Sequence, residues 1–128
     1  MEAVILDTNA ISAMAEGDTD LERILSDVPS QFIPVICLGE YRTGVIRSRA
    51  REELEKWLRE LEESRRVLLV ERETAKFYAD IVADLRSRGC MIPMNDVWIA
   101  ALALQHDLPV LSRDEHFDQV KRLRRIHW

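Results

Sequence analysis

Four acidic residues, Asp7, Glu40, Asp96 and Asp114, stand where carboxylates are unusual. Each interrupts an apolar or small-residue context: VILDTN, VICLGEY, IPMNDVWIAALA and PVLSRDEHF. Each also falls at what reads as the end of a strand or the start of a helix. Two carboxylates about 4 Å apart repel by about 4 kcal/mol at an effective dielectric of ~20. Gathering several is therefore unfavourable unless a cation compensates them, and oxygen ligands select a hard divalent ion such as Mg2+ or Mn2+. Mg2+ in such sites keeps several of its waters, which leaves room for a substrate phosphate and an attacking water. The chemistry implied is metal-dependent hydrolysis of phosphodiesters.

Taken singly, each acid has a plainer explanation. Asp7 follows VIL at the C-terminal edge of a first strand, where ligands bind in open parallel sheets, but it is equally suited to cap a following helix. Asp114 lies just past PVLS and could be an ordinary turn aspartate. Glu40 lies inside a helix that follows a strand, where a surface position would suffice. Asp96 suits a helix N-terminal turn, although that does not account for an acid planted against so apolar a helix. The arrangement carries the argument, not any one residue.

The elements that must position these acids alternate in type. Short β-rich runs at Ala3–Leu6, Phe32–Val35, Val67–Val70, Val110–Ser112 and, weakly, Arg125–His127 are separated by helical patterns. That alternation predicts an α/β fold with a parallel sheet. The first and third runs are nearly all apolar, as for strands covered on both faces. Helices are expected from about Ala10, over Asp20–Leu25 and over Leu38–Ile46. Another carries the stripe Leu54, Trp57, Leu58 and Leu61, with Glu52–Lys56 and Glu55–Arg59 as supporting pairs. Trp57 on this stripe reads as core. A further helix over Glu73–Arg88 presents Tyr78, Ile81, Val82 and Leu85 on one face and stops at Gly89. The last begins at Asn95 or Asp96, with Asn95 as its cap and Pro93 setting the entry, and is apolar nearly all round.

With 128 residues, no Pro/Gly/Ser-rich linker and no internal repeat, the chain reads as one domain over residues 1–128. No apolar run is long enough to cross a bilayer, and MEAVILD lacks the basic start of a signal peptide, so a cytoplasmic location is expected. Cys37 and Cys90 have no CxxC partner and read as inert thiols. His106, His116 and His127 show no zinc-binding spacing. The net charge of −5 argues against binding nucleic acid by bulk electrostatics. The segments Arg42–Arg51 (RTGVIRSRAR) and Lys121–Arg125 (KRLRR) are nonetheless basic. Each alone is a solvated face; both beside the acids would suit a phosphate backbone.

The pieces VILDTNAISAM, GEYRTG and IPMNDVWIAALALQHDLPVLSRDEHF, with the spacing between them, resemble the PIN-domain ribonucleases, specifically the VapC-type toxins of toxin–antitoxin pairs. The resemblance spans essentially the whole chain. It implies a three-layer α/β sandwich around a five-stranded parallel sheet of order 3-2-1-4-5, with Asp7 and Asp114 flanking the switch point. It places Asp7, Glu40, Asp96 and Asp114 on the family's four acidic positions, Asp7 and Asp96 as the main metal ligands. Thr8, Asn9 and Ser112 fall on polar positions beside them that orient acids or water. It further implies Mg2+ with Mn2+ as a substitute, an RNA substrate, a cognate antitoxin whose arginine enters the acidic pocket, and a homodimer. Arg42, Arg47 and Arg113 are candidate phosphate contacts. One departure is His116, in a slot where the family often carries a second acid; it reads as a surface histidine.

Other readings are a PIN-type nuclease of RNA maturation or DNA repair, and a catalytically silent regulatory binding module. The silent module would lack one of the four acids, and none is missing. A phosphoacceptor receiver domain needs an aspartate ending its third strand, which VLLVER does not provide. A phosphatase with a nucleophilic DxD motif fails because Thr8-Asn9 follows Asp7.

Overall fold

The computed structural model describes all residues, 1–128. Strand β1 (Ala3–Leu6) leads into α1 (Thr8–Ala15) and α2 (Thr19–Ser26). Strand β2 (Ser30–Pro34) is followed by α3 (Val35–Arg47) and α4 (Arg51–Ser64), and β3 (Arg66–Leu68) by α5 (Arg72–Arg88) and α6 (Met94–His106). The chain ends with β4 (Val110–Leu111), a 3-10 turn (Glu115–Gln119) and β5 (Arg125–Ile126). The five strands form one sheet in the order β3-β2-β1-β4-β5. Every pairing is parallel, with Ile5 opposite both Phe32 and Val110.

This topology fixes the layers. The crossovers β1→β2 and β2→β3 step outward in one direction, whereas β3→β4 returns across the sheet. Because such crossovers are right-handed, α1–α4 cover one face and α5–α6 the other. The reversal occurs at β1, whose two neighbours are β2 and β4, so a crevice opens beyond the C-terminal ends of β1 and β4. Val4, Ile5, Leu6, Val110 and Leu111 are fully buried between the layers.

Helix α5 stops where expected. Gly89 adopts the left-handed conformation (φ 65°) that ends a helix without a Cβ clash. Helix α6 is enclosed on nearly all sides, from Val97 to Ala103. Trp57 packs against the core and meets the Tyr41 ring at 5.8 Å between centroids. No helix is long and apolar enough to cross a membrane.

Several expectations need correction. Strand β3 is an edge strand, only half-buried, and it ends at Leu68; Leu69 and Val70 are exposed rather than covered on both faces. Strand β2 begins at Ser30, and Val35 already belongs to α3, which starts three residues before the expected Leu38. The sequence run around Val35 is too apolar for periodicity to separate strand end from helix start. On α4 the ion pair is Arg51–Glu55 at 2.9 Å, which takes Glu55 away from Arg59; the expected Glu52–Lys56 pair does not form either. Helix α6 begins at Met94. Pro93 is its extended cap (φ −54°, ψ 145°), and its carbonyl accepts the Val97 N–H at 3.1 Å. Asn95 therefore lies inside the first turn and is not the cap.

Candidate active site

The four acids meet at the crevice beyond β1 and β4, each carried there by a different element. Asp7 ends β1 and caps α1, its Oδ1 accepting the Thr8 N–H at 2.8 Å. The capping and cleft readings of this residue hold together: one carboxylate oxygen closes the helix while the other faces the neighbouring strand. Glu40 projects from α3 and accepts the Thr8 hydroxyl at 2.9 Å. Asp96 occupies the third position of α6, where the helix dipole favours an anion. Asp114 follows β4 and caps the 3-10 turn through the His116 N–H at 2.9 Å.

Ser112 ties the two strand ends together. Wholly buried, its hydroxyl donates to Asp7 Oδ2 at 2.6 Å and accepts the backbone N–H of Asp114 at 2.9 Å. Asn9 completes the bracket, its amide reaching Ser112 Oγ at 3.2 Å and Asp7 Oδ2 at 3.4 Å, while its Oδ1 accepts the Arg113 N–H at 3.3 Å. Thr8, Asn9 and Ser112 thus orient acids, directly and by hydrogen bond.

Removing the Ser112 hydroxyl gives a measurable test of this bracket. Ser112→Ala leaves the Asp114 N–H and one lone pair of Asp7 unserved, at a cost of about 1–3 kcal/mol in stability. It also removes the largest influence opposing burial at Asp7, so the Asp7 carboxyl should titrate at higher pH than in the parent chain. Carboxyl-carbon NMR titration reads this directly; an unmoved Asp7 would mean that the hydrogen bond does not hold its charge.

The acids form two groups. In one, Asp7, Cys37 and Glu40 offer ligand atoms within 4.8 Å of one another; in the other, Asp96, Asp114 and His116 do the same. Electrostatics link the groups. Burial raises the Asp7 pKa, opposed by the hydrogen bonds from Ser112 and Thr8 and reinforced by the charges of Glu40 and Asp114. Burial likewise raises Asp96 to about 6, partly offset by its hydrogen bond with His116 and increased further by Asp114 and Asp7. Two carboxyls raised in one cleft, chiefly by burial and further by neighbouring acids, mark negative charge that His116 compensates only in part.

Two members of the cluster escape the sequence reading. His116 is half-exposed, yet its Nδ1 lies 3.0 Å from Asp96 Oδ2 and 2.9 Å from Asp114 Oδ1, so it is part of the site rather than a bystander on the surface. Its pKa is raised, chiefly by the Asp96 hydrogen bond. The only available sign was its place two residues after Asp114 in a tight turn. Cys37 is inert as expected, since burial pushes its thiol pKa well up, but its Sγ sits 3.8 Å from Asp7 Oδ1.

The arginines divide. Arg42 is held by Glu62 of α4 at 2.9 Å, and Arg47 is exposed in the last turn of α3. Arg113 alone lies in the bracket, between Ser112 and Asp114. The basic tail is half neutralised: Lys121 pairs with Asp84 at 3.3 Å and Arg125 grips both oxygens of Asp118 at 2.8 and 2.9 Å, while Arg122 and Arg124 are exposed without an ion pair.

Comparison with known proteins agrees with this geometry. Residues 4–123 match the family described as PIN domain. Ribonuclease VapC5 of Mycobacterium tuberculosis is 30% identical over 117 residues, spanning 90% of this chain and 85% of that protein. Among solved structures, FitAcB from Neisseria gonorrhoeae superposes with a TM-score of 0.82 at 26% identity over 96% of each chain. VapBC2 from Rickettsia felis, bound to a DNA fragment from its promoter, shares the fold with a TM-score of 0.88 at 20% identity over 98% of each chain. The sheet order, the crevice at its switch point and these matches agree: the chain belongs to the PIN-domain family, in its VapC branch.

Proposed function

We propose that this protein is an endoribonuclease dependent on Mg2+ or Mn2+ and the toxin half of a toxin–antitoxin pair. The observation that carries the proposal is the convergence of four carboxylates on one cleft, two of them desolvated, within a hydrogen-bonded bracket that spans the two central strands. The donor set is oxygen-rich and lacks internal cations other than His116, which fits a hard divalent ion. Asp7 and Asp96 would hold it, with Glu40 and Asp114 completing its surroundings. When bound, the ion would activate a water and neutralise charge developing on the phosphodiester.

The chain's own groups have defined parts in this reading. Ser112 and Thr8 aim the two oxygens of Asp7, and Thr8 also fixes Glu40. His116 keeps a proton at Nδ1 between Asp96 and Asp114, which holds both carboxylates toward the cleft. Arg47, exposed in the last turn of α3 and without an ion-pair partner, would be free to meet a phosphate further along the strand. The relative VapC5 is a ribonuclease, and the fold is shared with VapBC2 from Rickettsia felis and VapBC-1 from nontypeable Haemophilus influenzae. By analogy this chain would pair with an antitoxin, assemble as a homodimer and act in the cytoplasm. An antitoxin arginine entering the cleft would gain charge-assisted hydrogen bonds from the same acids.

The test has two arms. Purified protein incubated with defined tRNA and rRNA fragments should cut them with Mn2+ and leave them intact in EDTA; no cutting of any fragment at saturating metal would overturn the nuclease reading. Induced expression should arrest growth, with relief by the product of an adjacent small gene. Unimpaired growth alongside cleavage in vitro would instead favour a housekeeping PIN nuclease.

A further inference from the structure

Asp18, Arg113 and Trp128 come from three distant parts of the chain and meet beside the acidic cleft. Asp18 lies in the turn between α1 and α2 and caps α2 through the Leu21 N–H at 3.1 Å. Its Oδ2 accepts from the Arg113 guanidinium at 3.2 Å and from the Trp128 indole N–H at 3.3 Å. The guanidinium carbon sits 4.4 Å from the Trp128 ring centroid, in cation–π range. Trp128 in turn packs against the hydrophobic core. Arg113 is therefore backed by a ring that is itself anchored, while its side chain remains 52% exposed. Its backbone is fixed as well, by the bond to Asn9 Oδ1. Arg113, Asp114 and His116 line one open cleft of about 530 Å³.

A surface arginine held this way is not arranged as a phosphate clamp. Asp18 already neutralises it and takes one edge of its donor fork. What it presents is a planar group, ordered before any ligand arrives and adjacent in sequence to a carboxylate of the site. Unstacked nucleobases of single-stranded RNA are held on such guanidinium planes and on aromatic rings.

Resting on the reading of the chain as an RNA nuclease, we infer that Arg113 is a nucleobase platform. Its outer face stacks on the base of a nucleotide neighbouring the scissile phosphate, and Asp18 and Trp128 are positioning residues that hold it in plane. The ligand class is an unpaired nucleotide within an RNA strand, recognised through its base and not its phosphate.

The experiment uses the full chain carrying Asp96→Asn, so that RNA stays uncut, and two end-labelled single-stranded RNAs of equal length, one normal and one with abasic positions in its centre. The parent Asp96→Asn chain should prefer the base-bearing RNA by roughly tenfold. Adding Arg113→Lys keeps the charge and removes the plane: the preference should vanish while the salt dependence of binding is unchanged. Trp128→Leu, which keeps the arginine and removes its backing, should weaken the preference in the same direction. Equal loss for both RNAs, with the salt slope reduced by about one, would make Arg113 a phosphate contact and overturn the inference. Unchanged RNA binding with lost antitoxin binding would also overturn it, as a protein contact. If wild-type protein cuts no RNA and the parent chain binds none, the nuclease reading itself fails, a result distinct from any change confined to the Arg113 and Trp128 variants.

Discussion

Asp96→Asn should abolish RNA cleavage, lowering the rate by ~10²-fold or more, while leaving the metal-free protein more stable than the parent. The two halves of this result come from one cause. Asp96 is buried to 8% exposure beside Asp7 and Asp114, and its pKa is raised to about 6, so at pH 7.5 the parent chain holds an ionised carboxylate that folding disfavours. The amide is nearly the same size, carries no charge and can still accept the hydrogen bond at His116 Nδ1. It relieves desolvation and repulsion at a gain of about 1–2 kcal/mol. An amide is also a poor ligand for a hard cation, which removes the chemistry. Urea unfolding in EDTA and single-turnover cleavage in Mn2+ measure the two effects separately. A strongly destabilised variant would make Asp96 a structural residue, and full cleavage would remove it from the site.

The four acids were legible in the sequence for the same physical reason: carboxylates planted in apolar contexts need compensation, and strand ends are where a parallel sheet can supply it. The capping role of Asp7 was legible too, but only as an alternative. The fold uses one oxygen for the helix and the other for Ser112, which a linear reading cannot distribute. Periodicity located α4 and α5, α6 was marked by its all-round apolar run after Pro93, and Gly89 marked a stop by its freedom to adopt positive φ.

What escaped is mostly short or long-range. The 3-10 turn at Glu115–Gln119 is shorter than any period it could display, so His116 was read as a surface residue when the turn in fact points it back at Asp96 and Asp114. The entry of α6 was misplaced because Asn95 is the better capping side chain, whereas the backbone is set by Pro93. Asp18 and Trp128 gave no sign of meeting, since 110 residues separate them and neither lies in a recognisable motif. The half-exposed state of β3 followed from its edge position in the sheet order, not from its composition, which resembles a central strand.

The second large effect is on how stability varies with pH, and metal should largely offset it. Asp96 ionises in the folded chain at about 6, against 3.8 in the unfolded one. The folded state therefore holds this proton more tightly, and the stability it contributes is present below pH ~4 and lost as pH rises through 6, by on the order of 2–3 kcal/mol. Asp7 is raised as well, and its contribution is lost in the same direction. His116, also raised, adds stability below its unfolded pKa of 6.5 that disappears as pH rises through its folded value. The opposing groups, Asp18, Asp84 and Asp118, are lowered below 3.8 and lose their contribution only as pH falls beneath that range. Between pH 5 and 8, then, nothing with a resolved shift offsets the cluster, and the Tm of the metal-free protein should fall steadily. Divalent metal needs the acids ionised, so it should stabilise little at pH 5 and most at pH 8, by about 2.7 kcal/mol at a hundredfold excess over its Kd. Calorimetry in EDTA and in Mn2+ at four pH values would show two curves that diverge as pH rises. In Asp96→Asn the metal-free curve should flatten between pH 5 and 7. A metal-free Tm that rises over this interval, or equal stabilisation by Mn2+ at pH 5 and pH 8, would show that the acids do not form the charged, cation-demanding cluster on which the proposed activity depends.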